Sequence, residues 1–239
     1  MLARDFYINT DSNGHDSKFK KGKSVYDDYL HSFIIKYCFD KYLKKDVNIL
    51  ELGTYTGRIT KKLEKYSENI TVSDVNTKNI YGYNKYDSHV IDLSKKFEID
   101  SKFDLVCSLG HQASISNNID MALLNISNLL DENISTVAII DFWNLEYPSH
   151  KKPPYQIEVI DEVDVNKKLD KYNFEILDTF YSGRLDTLFG KYGSYFISNF
   201  VKENNVFSKL YIFIEGLFKK QNIAIKNVQT ITIIAKSRN

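Results

Sequence analysis

Ile49-Leu50-Glu51-Leu52-Gly53-Thr54-Tyr55-Thr56-Gly57 is an apolar run that ends in a glycine turn, with an acidic residue two positions before the first glycine. The residues through Leu52 predict a buried strand. Gly53 and Gly57 free the backbone just beyond it, and Arg58 to Tyr66 begins a helical pattern with Ile59, Leu63 and Tyr66 on one face. Strand, glycine turn and helix is the unit by which a doubly wound sheet presents backbone N–H groups to a ligand at its carboxyl edge. The glycine spacing is G-x-x-x-G. Dinucleotide pyrophosphates are cradled by G-x-G-x-x-G, so this loop points to a ligand without a diphosphate and away from a nicotinamide-linked dehydrogenase.

Working outward, strand and helix patterns alternate from Val47 onward. The first strand is Asn48–Leu52, the second Ile70–Ser73 ending at Asp74, and the third a short His89–Ile91 ending at Asp92. Phe103–Leu109 is a continuous apolar run, as expected of a strand covered on both faces. Ile119, Leu123, Ile126 and Leu130 mark a helix, and Thr136–Phe142 a fifth strand. This alternation predicts right-handed crossovers and a mostly parallel, doubly wound α/β sheet. The three prolines, Pro148, Pro153 and Pro154, mark a loop after the fifth strand. Val163–Tyr172 reads as a helix, Phe174–Tyr181 as a sixth strand and the β-branched Val228–Ala235 as the last. Between those two strands lies an aromatic insert at about 184–222, in which Val206, Leu210, Phe213 and Leu217 share a helical face. Gly190 and Gly193 argue against one unbroken helix before it.

Upstream, Tyr26, Leu30, Phe33 and Tyr37 predict an amphipathic helix ending near Lys44-Lys45. Residues 1–24 show no periodicity and read either as a solvated arm or as a segment that folds over a ligand. The expected organisation is therefore an N-terminal arm and helical cap over 1–45, then one ligand-binding domain over 46–239. Bulk composition is permissive: 239 residues, 43% hydrophobic, formal net charge +1. Such a balance gives no general attraction to polyanions. Arginine supplies only four of the 32 basic residues, which disfavours sequence-specific nucleic-acid readout, since bidentate guanine and phosphate contacts favour arginine. Cys38 and Cys107 lie far apart with no C-x-x-C pair, as reduced, buried thiols of a cytoplasmic protein would. The first 23 residues lack the apolar core of a signal peptide, and no run has the length of a transmembrane segment.

Three acidic residues fall at successive strand ends. Glu51 closes the first strand, Asp74 the second, 21 residues after Gly53, and Asp92-Leu93 the third. A carboxylate at the position of Asp74 can accept both hydroxyls of a ribose. Asp92 is placed to meet an adenine amino group. An acidic rim is a poor place for a phosphate and suits a cationic, hydroxyl-bearing ligand such as a sulfonium nucleoside.

From about Val47 to Phe142, some 40% of the chain, these residues resemble the class I S-adenosylmethionine-dependent methyltransferases. Glu51 to Gly57 is similar to the family's E/D-x-G-x-G-x-G motif, with Tyr55 where a middle glycine is common. Asp74 and the following Val75 match the ribose-binding position, Asp92 and Leu93 the adenine side. Phe103-Asp104-Leu105-Val106 matches the start of the fourth strand, and Ser108-Leu109-Gly110-His111 the segment under the methionine part of the cofactor. The resemblance implies a Rossmann-like sheet of seven strands with the last antiparallel, in agreement with the strand count above. It also implies S-adenosyl-L-methionine as cofactor, leaving as S-adenosyl-L-homocysteine, with Gly53, Thr54, Tyr55, Gly57, Leu109 and Gly110 in the binding set. Glu51 would hold the loop and the cofactor ammonium.

Methyl transfer from a sulfonium is an in-line displacement whose barrier yields largely to alignment and desolvation. A hydroxyl acceptor benefits from a general base, and His111 is the candidate, with turn packing as its alternative role. His15, His31, His89 and His150 show no metal-ligand spacing, so no metal is expected. Trp143 and Asn144, at the end of the fifth strand, are candidates for the acceptor pocket. No Asn/Asp-Pro-Pro-Tyr/Phe tetrapeptide is present, which counts against methylation of base amines or glutamine amides. The aromatic insert reads as a lid over the acceptor, a homodimer surface, a membrane-surface helix or ordinary core. The expected acceptor is a small molecule or glycan precursor methylated at oxygen or nitrogen. A protein or RNA methyltransferase and a non-catalytic partner subunit are the competing readings.

Overall fold

A computed structural model of the chain describes residues 1–9, 23–44, 46–82, 84–131, 136–144, 156–183, 199–200, 206–218 and 230–238. The three prolines, Leu145, Gly190, Gly193, most of the predicted insert and residues 10–22 of the predicted arm lie outside them.

Among the described residues seven strands form one sheet: β1 (Ile49–Leu52), β2 (Ile70–Asp74), β3 (Asp87–Val90), β4 (Leu105–Ser108), β5 (Val137–Trp143), β6 (Phe174–Ser182) and β7 (Thr230–Ser237). Their order is β3-β2-β1-β4-β5-β7-β6. β1 to β5 pair in parallel, and β7 runs antiparallel to both of its neighbours. This is the doubly wound, mostly parallel sheet that the sequence predicts.

Alternation along the central strands divides the core in two. Leu50, Leu52, Val106, Ile140 and Phe142 pack into one layer with α5 (Ile119–Leu129) and α6 (Glu162–Lys171). Ile49, Val72, Leu105, Cys107 and Ile139 pack into the other with α2 (Lys23–Lys41) and α3 (Thr60–Leu63). Burial on both faces is why β1, β4 and β5 are apolar apart from Glu51, Ser108 and Asp141. Asn118 and Asp161 cap α5 and α6 by accepting from the amides of Met121 and Asp164. Asp120 then ties the two helices together by accepting from Lys168, Lys171 and Tyr172.

The structure corrects three local expectations. Residues 3–9 form a helix, α1 (Ala3–Asn9), where the sequence shows no periodicity. Helix α2 turns Ile34, Ile35 and Cys38 inward and leaves Phe33 exposed, because the sheet takes the side of the helix bearing Ile34 and Ile35. The helix after the glycine turn shortens to Thr60–Leu63, flanked by turns. In α7 (Val206–Phe218) the face that Val206, Leu210 and Phe213 share points outward, and Ser208 and Tyr211 are buried among the side chains described there. Between β4 and α5 lies the short α4 (Gln112–Ile115).

Cys38 and Cys107 are buried free thiols; burial pushes the Cys38 thiol up to about 12. No helix among the described residues is long and apolar enough to cross a membrane.

Candidate functional site

In a sheet of this order the chain leaves β1 for one side and β4 for the other, which opens a crevice at their carboxyl ends. A cavity of about 260 Å³ lies there. Gly53, Thr54 and Tyr55 wall it from β1, Asp74 and Val75 from β2, and Leu109, Gly110 and His111 from β4. Eight of the residues predicted from sequence are thus brought to one space. Asp92 and Leu93 line a second, smaller cavity of about 40 Å³ next to it.

The glycine turn is fixed from below. Gly53 and Thr54 donate their N–H groups to the Ser73 carbonyl at 2.8 and 2.9 Å, and the Ser73 hydroxyl donates to the carbonyl of Glu51. Gly53 has φ +76°, and the Gln112 amide sits 2.2 Å from where a Cβ would stand, so no other residue fits without displacing it. Gly57 has φ +74°, with the Tyr81 ring 2.1 Å from the corresponding point. Tyr55, at the family's usual glycine position, also adopts a left-handed φ of 48°. A residue with a Cβ holds that conformation at a cost of about 1–2 kcal/mol. In this conformation the Tyr55 amide donates to Asp74 Oδ2 at 3.2 Å.

Asp74 is nearly buried and also accepts from the Asn76 amide at 3.0 Å. Burial raises its carboxyl to about 6 against the pull of those donors. Glu51 does not reach the cavity wall; it stands under the loop, 1% exposed. Burial raises it to about 7. Neither of its carboxyl oxygens has a hydrogen-bond partner among the described residues. A buried carboxylate in that condition is costly, and a cation brought to the loop above would relieve the cost.

Three further residues enter the site that the sequence did not single out. Asp141, fully buried on β5, accepts from the amides of Gly110 at 2.9 Å and His111 at 2.7 Å. Burial raises its carboxyl to about 7, with those amides and Arg58 opposing. The His111 ring stands over it, Nδ1 3.3 Å from Oδ2. His31, from α2, approaches the same oxygen with Nε2 at 3.8 Å. Its other nitrogen lies 3.0 Å from Arg58 Nη1. Arg58 is in turn held by Asp28 at 3.0 Å, and Lys62 pairs with the other oxygen of Asp28 at 2.9 Å. A guanidinium can only donate, so His31 Nδ1 is the acceptor and the ring proton sits on Nε2. Two imidazoles thus approach one carboxylate at the cavity wall. A lone histidine on a helix gives no spacing signal, which is why His31 was invisible; Asp141 was legible only as an acid inside a buried strand.

Trp143 and Asn144 do not line the cavity. Trp143 meets the His111 ring edge-on, with centroids 4.7 Å apart, and Asn144 is buried. No group of three or more metal-ligating side chains occurs among the described residues.

No protein-family model matches the chain, and no curated protein matches its sequence. Solved structures do resemble it. Burkholderia thailandensis 1,6-didemethyltoxoflavin-N1-methyltransferase, with 1,6-didemethyltoxoflavin and S-adenosylhomocysteine bound, superposes at TM-score 0.60 and 12% identity, covering 99% of this chain and 87% of its own. A S-adenosylmethionine-dependent methyltransferase of Clostridium acetobutylicum gives TM-score 0.55 and 18% identity, covering 87% and 91%. The [4+2]-cyclase SpnF gives 0.57 and 13%, covering 88% and 80%. At these identities the likeness is one of fold: the chain has the Rossmann-like architecture of class I S-adenosylmethionine-dependent methyltransferases.

Proposed function

We propose that this chain transfers a methyl group from S-adenosylmethionine to an oxygen or nitrogen of a small molecule or glycan precursor. The observation that carries the reading is a glycine-turned cavity at the switch point of the sheet with the buried Asp74 in its wall, the buried Glu51 beneath its loop and the buried Asp141 bonded to the amides of Gly110 and His111. Buried acids raised toward neutrality suit a ligand that brings positive charge and hydroxyl donors.

Asp74 would accept the ribose hydroxyls, Glu51 would balance the ammonium directly or through water, and Asp92 with Leu93 would flank the adenine. Leu109 and Gly110 would lie under the methionine part. When bound, the cofactor supplies an activated methyl on a cationic sulfur with a neutral leaving group. The chain's own contribution is to align the acceptor, exclude water and manage one proton. His31, held as the Nε2–H form by Arg58, can give a hydrogen bond to the acceptor atom. His111, set against Asp141, can take the proton from a hydroxyl, and Trp143 holds its ring in place. An acceptor atom with both a lone pair and a proton fits that pair. One structural neighbour is a cyclase, so cofactor binding without methyl transfer is the second reading.

The test is incubation with methyl-labelled S-adenosylmethionine against panels of hydroxylated and amino small molecules, bulk RNA and bulk protein. Label is expected in the small-molecule fraction, and His111→Ala should lower it while S-adenosylhomocysteine affinity holds. Robust labelling of RNA or protein contradicts the small-molecule reading.

A further inference from the structure

The carboxylate assigned above to the adenine side is already occupied by the chain itself. Arg4, on α1, donates Nε to both oxygens of Asp92 at 3.1 and 3.0 Å and Nη2 to Oδ2 at 2.6 Å. Ser94 donates its amide and hydroxyl to Oδ1 at 3.1 and 2.6 Å. A carboxylate offers about four acceptor positions, and these donors fill them. The cavity beside Asp92 holds about 40 Å³, which is room for water and too little for a purine. Gln112 and Ile115 line both this cavity and the larger one, and so stand between them.

Arg4 does not act alone, because α1 is laid across the cleft as a strap. At one end Ala3 donates to the Gln156 carbonyl, and the Gln156 amide donates back to Met1. At the other, the Asn76 side chain donates to the Ile8 carbonyl two residues beyond Asp74. Tyr7 lines the larger cavity and meets the Tyr55 ring edge-on at 6.2 Å. The strap therefore spans both the ribose and the adenine ends of the crevice.

We propose that Arg4 is an internal competitor for Asp92: nucleoside entry requires Arg4 to withdraw, and α1 loosens with it. Arg4 thus sets cofactor affinity without touching the reacting atoms. The inference rests on the cofactor reading given above.

The experiment titrates S-adenosylhomocysteine into the full chain and into Arg4→Gln by calorimetry. The variant is expected to bind tighter by roughly threefold to tenfold, the fold-change for a partly exposed ion pair that no longer has to be broken. Arg4→Lys keeps the charge but cannot form the fork, and should fall between the two. In the wild-type chain, amide hydrogen exchange of residues 1–9 should quicken when S-adenosylhomocysteine binds. Equal or weaker binding by Arg4→Gln, or slower exchange of residues 1–9 in the complex, overturns the inference. Absence of heat with either protein overturns the cofactor reading instead.

Discussion

Asp74→Ala puts the central carboxylate of the site to a quantitative test. Asp74 is 6% exposed, accepts two backbone amides and has its carboxyl raised by burial to about 6. At pH 7.5 it is mostly ionised and ready to accept two hydroxyls. Losing charge-assisted hydrogen bonds of this kind costs about 1–3 kcal/mol, so S-adenosylhomocysteine should bind Asp74→Ala roughly fivefold to 150-fold more weakly. At pH 5 the wild-type carboxyl is about nine-tenths protonated before binding. Ionising it then costs about 1.4 kcal/mol, which narrows the gap between wild type and variant about tenfold. Calorimetry at the two pH values reads both quantities, and buffers of different ionisation enthalpy count the proton released by the wild type at pH 5. An unchanged affinity at pH 7.5 removes Asp74 from the site. A large gap that stays constant with pH would instead refute the argument from burial.

Glu51, Asp74 and Asp141 also make the fold sensitive to pH. Each is raised by burial, from 4.5, 3.8 and 3.8 to about 7, 6 and 7. A carboxyl raised on folding stabilises the fold fully below its unfolded value and loses that contribution as pH climbs through its folded value. Urea unfolding should therefore show stability falling by roughly 2 kcal/mol or more between pH 5 and 8, with Asp141→Asn flattening the slope; constant or rising stability contradicts it. Asp92 acts in the opposite sense: burial pushes it up, but Arg4 and Ser94 hold it at about 2, so its contribution is lost only in acid. Gly57→Ala forces a Cβ into the Tyr81 ring at a φ of +74°. It should cost at least about 1–2 kcal/mol in the same assay, and pairing it with Tyr81→Ala should recover only the steric part.

What the sequence disclosed, and what it hid, follows from how each segment is buried. The glycine turn and the central strands were legible because a parallel strand covered on both faces is mostly apolar, as Leu105, Val106 and Cys107 are. β3 was found only approximately, at His89–Ile91 rather than Asp87–Val90, because its four residues are half-buried or exposed and carry no apolar signal. Helix α1 has a single buried residue, Ala3, and is held by Arg4 and by backbone bonds to Gln156, a partner far away in the chain. No local pattern encodes such contacts. The same holds for His31, which gains its role from Arg58 and Asp141 once α2 lies on the sheet. In α2 apolar residues occur on more than one side, so spacing alone picked Phe33 where packing chose Ile34 and Ile35.

The claim on which the rest stands is that this crevice is shaped for a cationic sulfur nucleoside. Calorimetric titration of the purified chain with S-adenosylmethionine measures it directly. Saturable binding at one site per chain, shared in competition with S-adenosylhomocysteine, is the expected result. A flat titration with both compounds would contradict it.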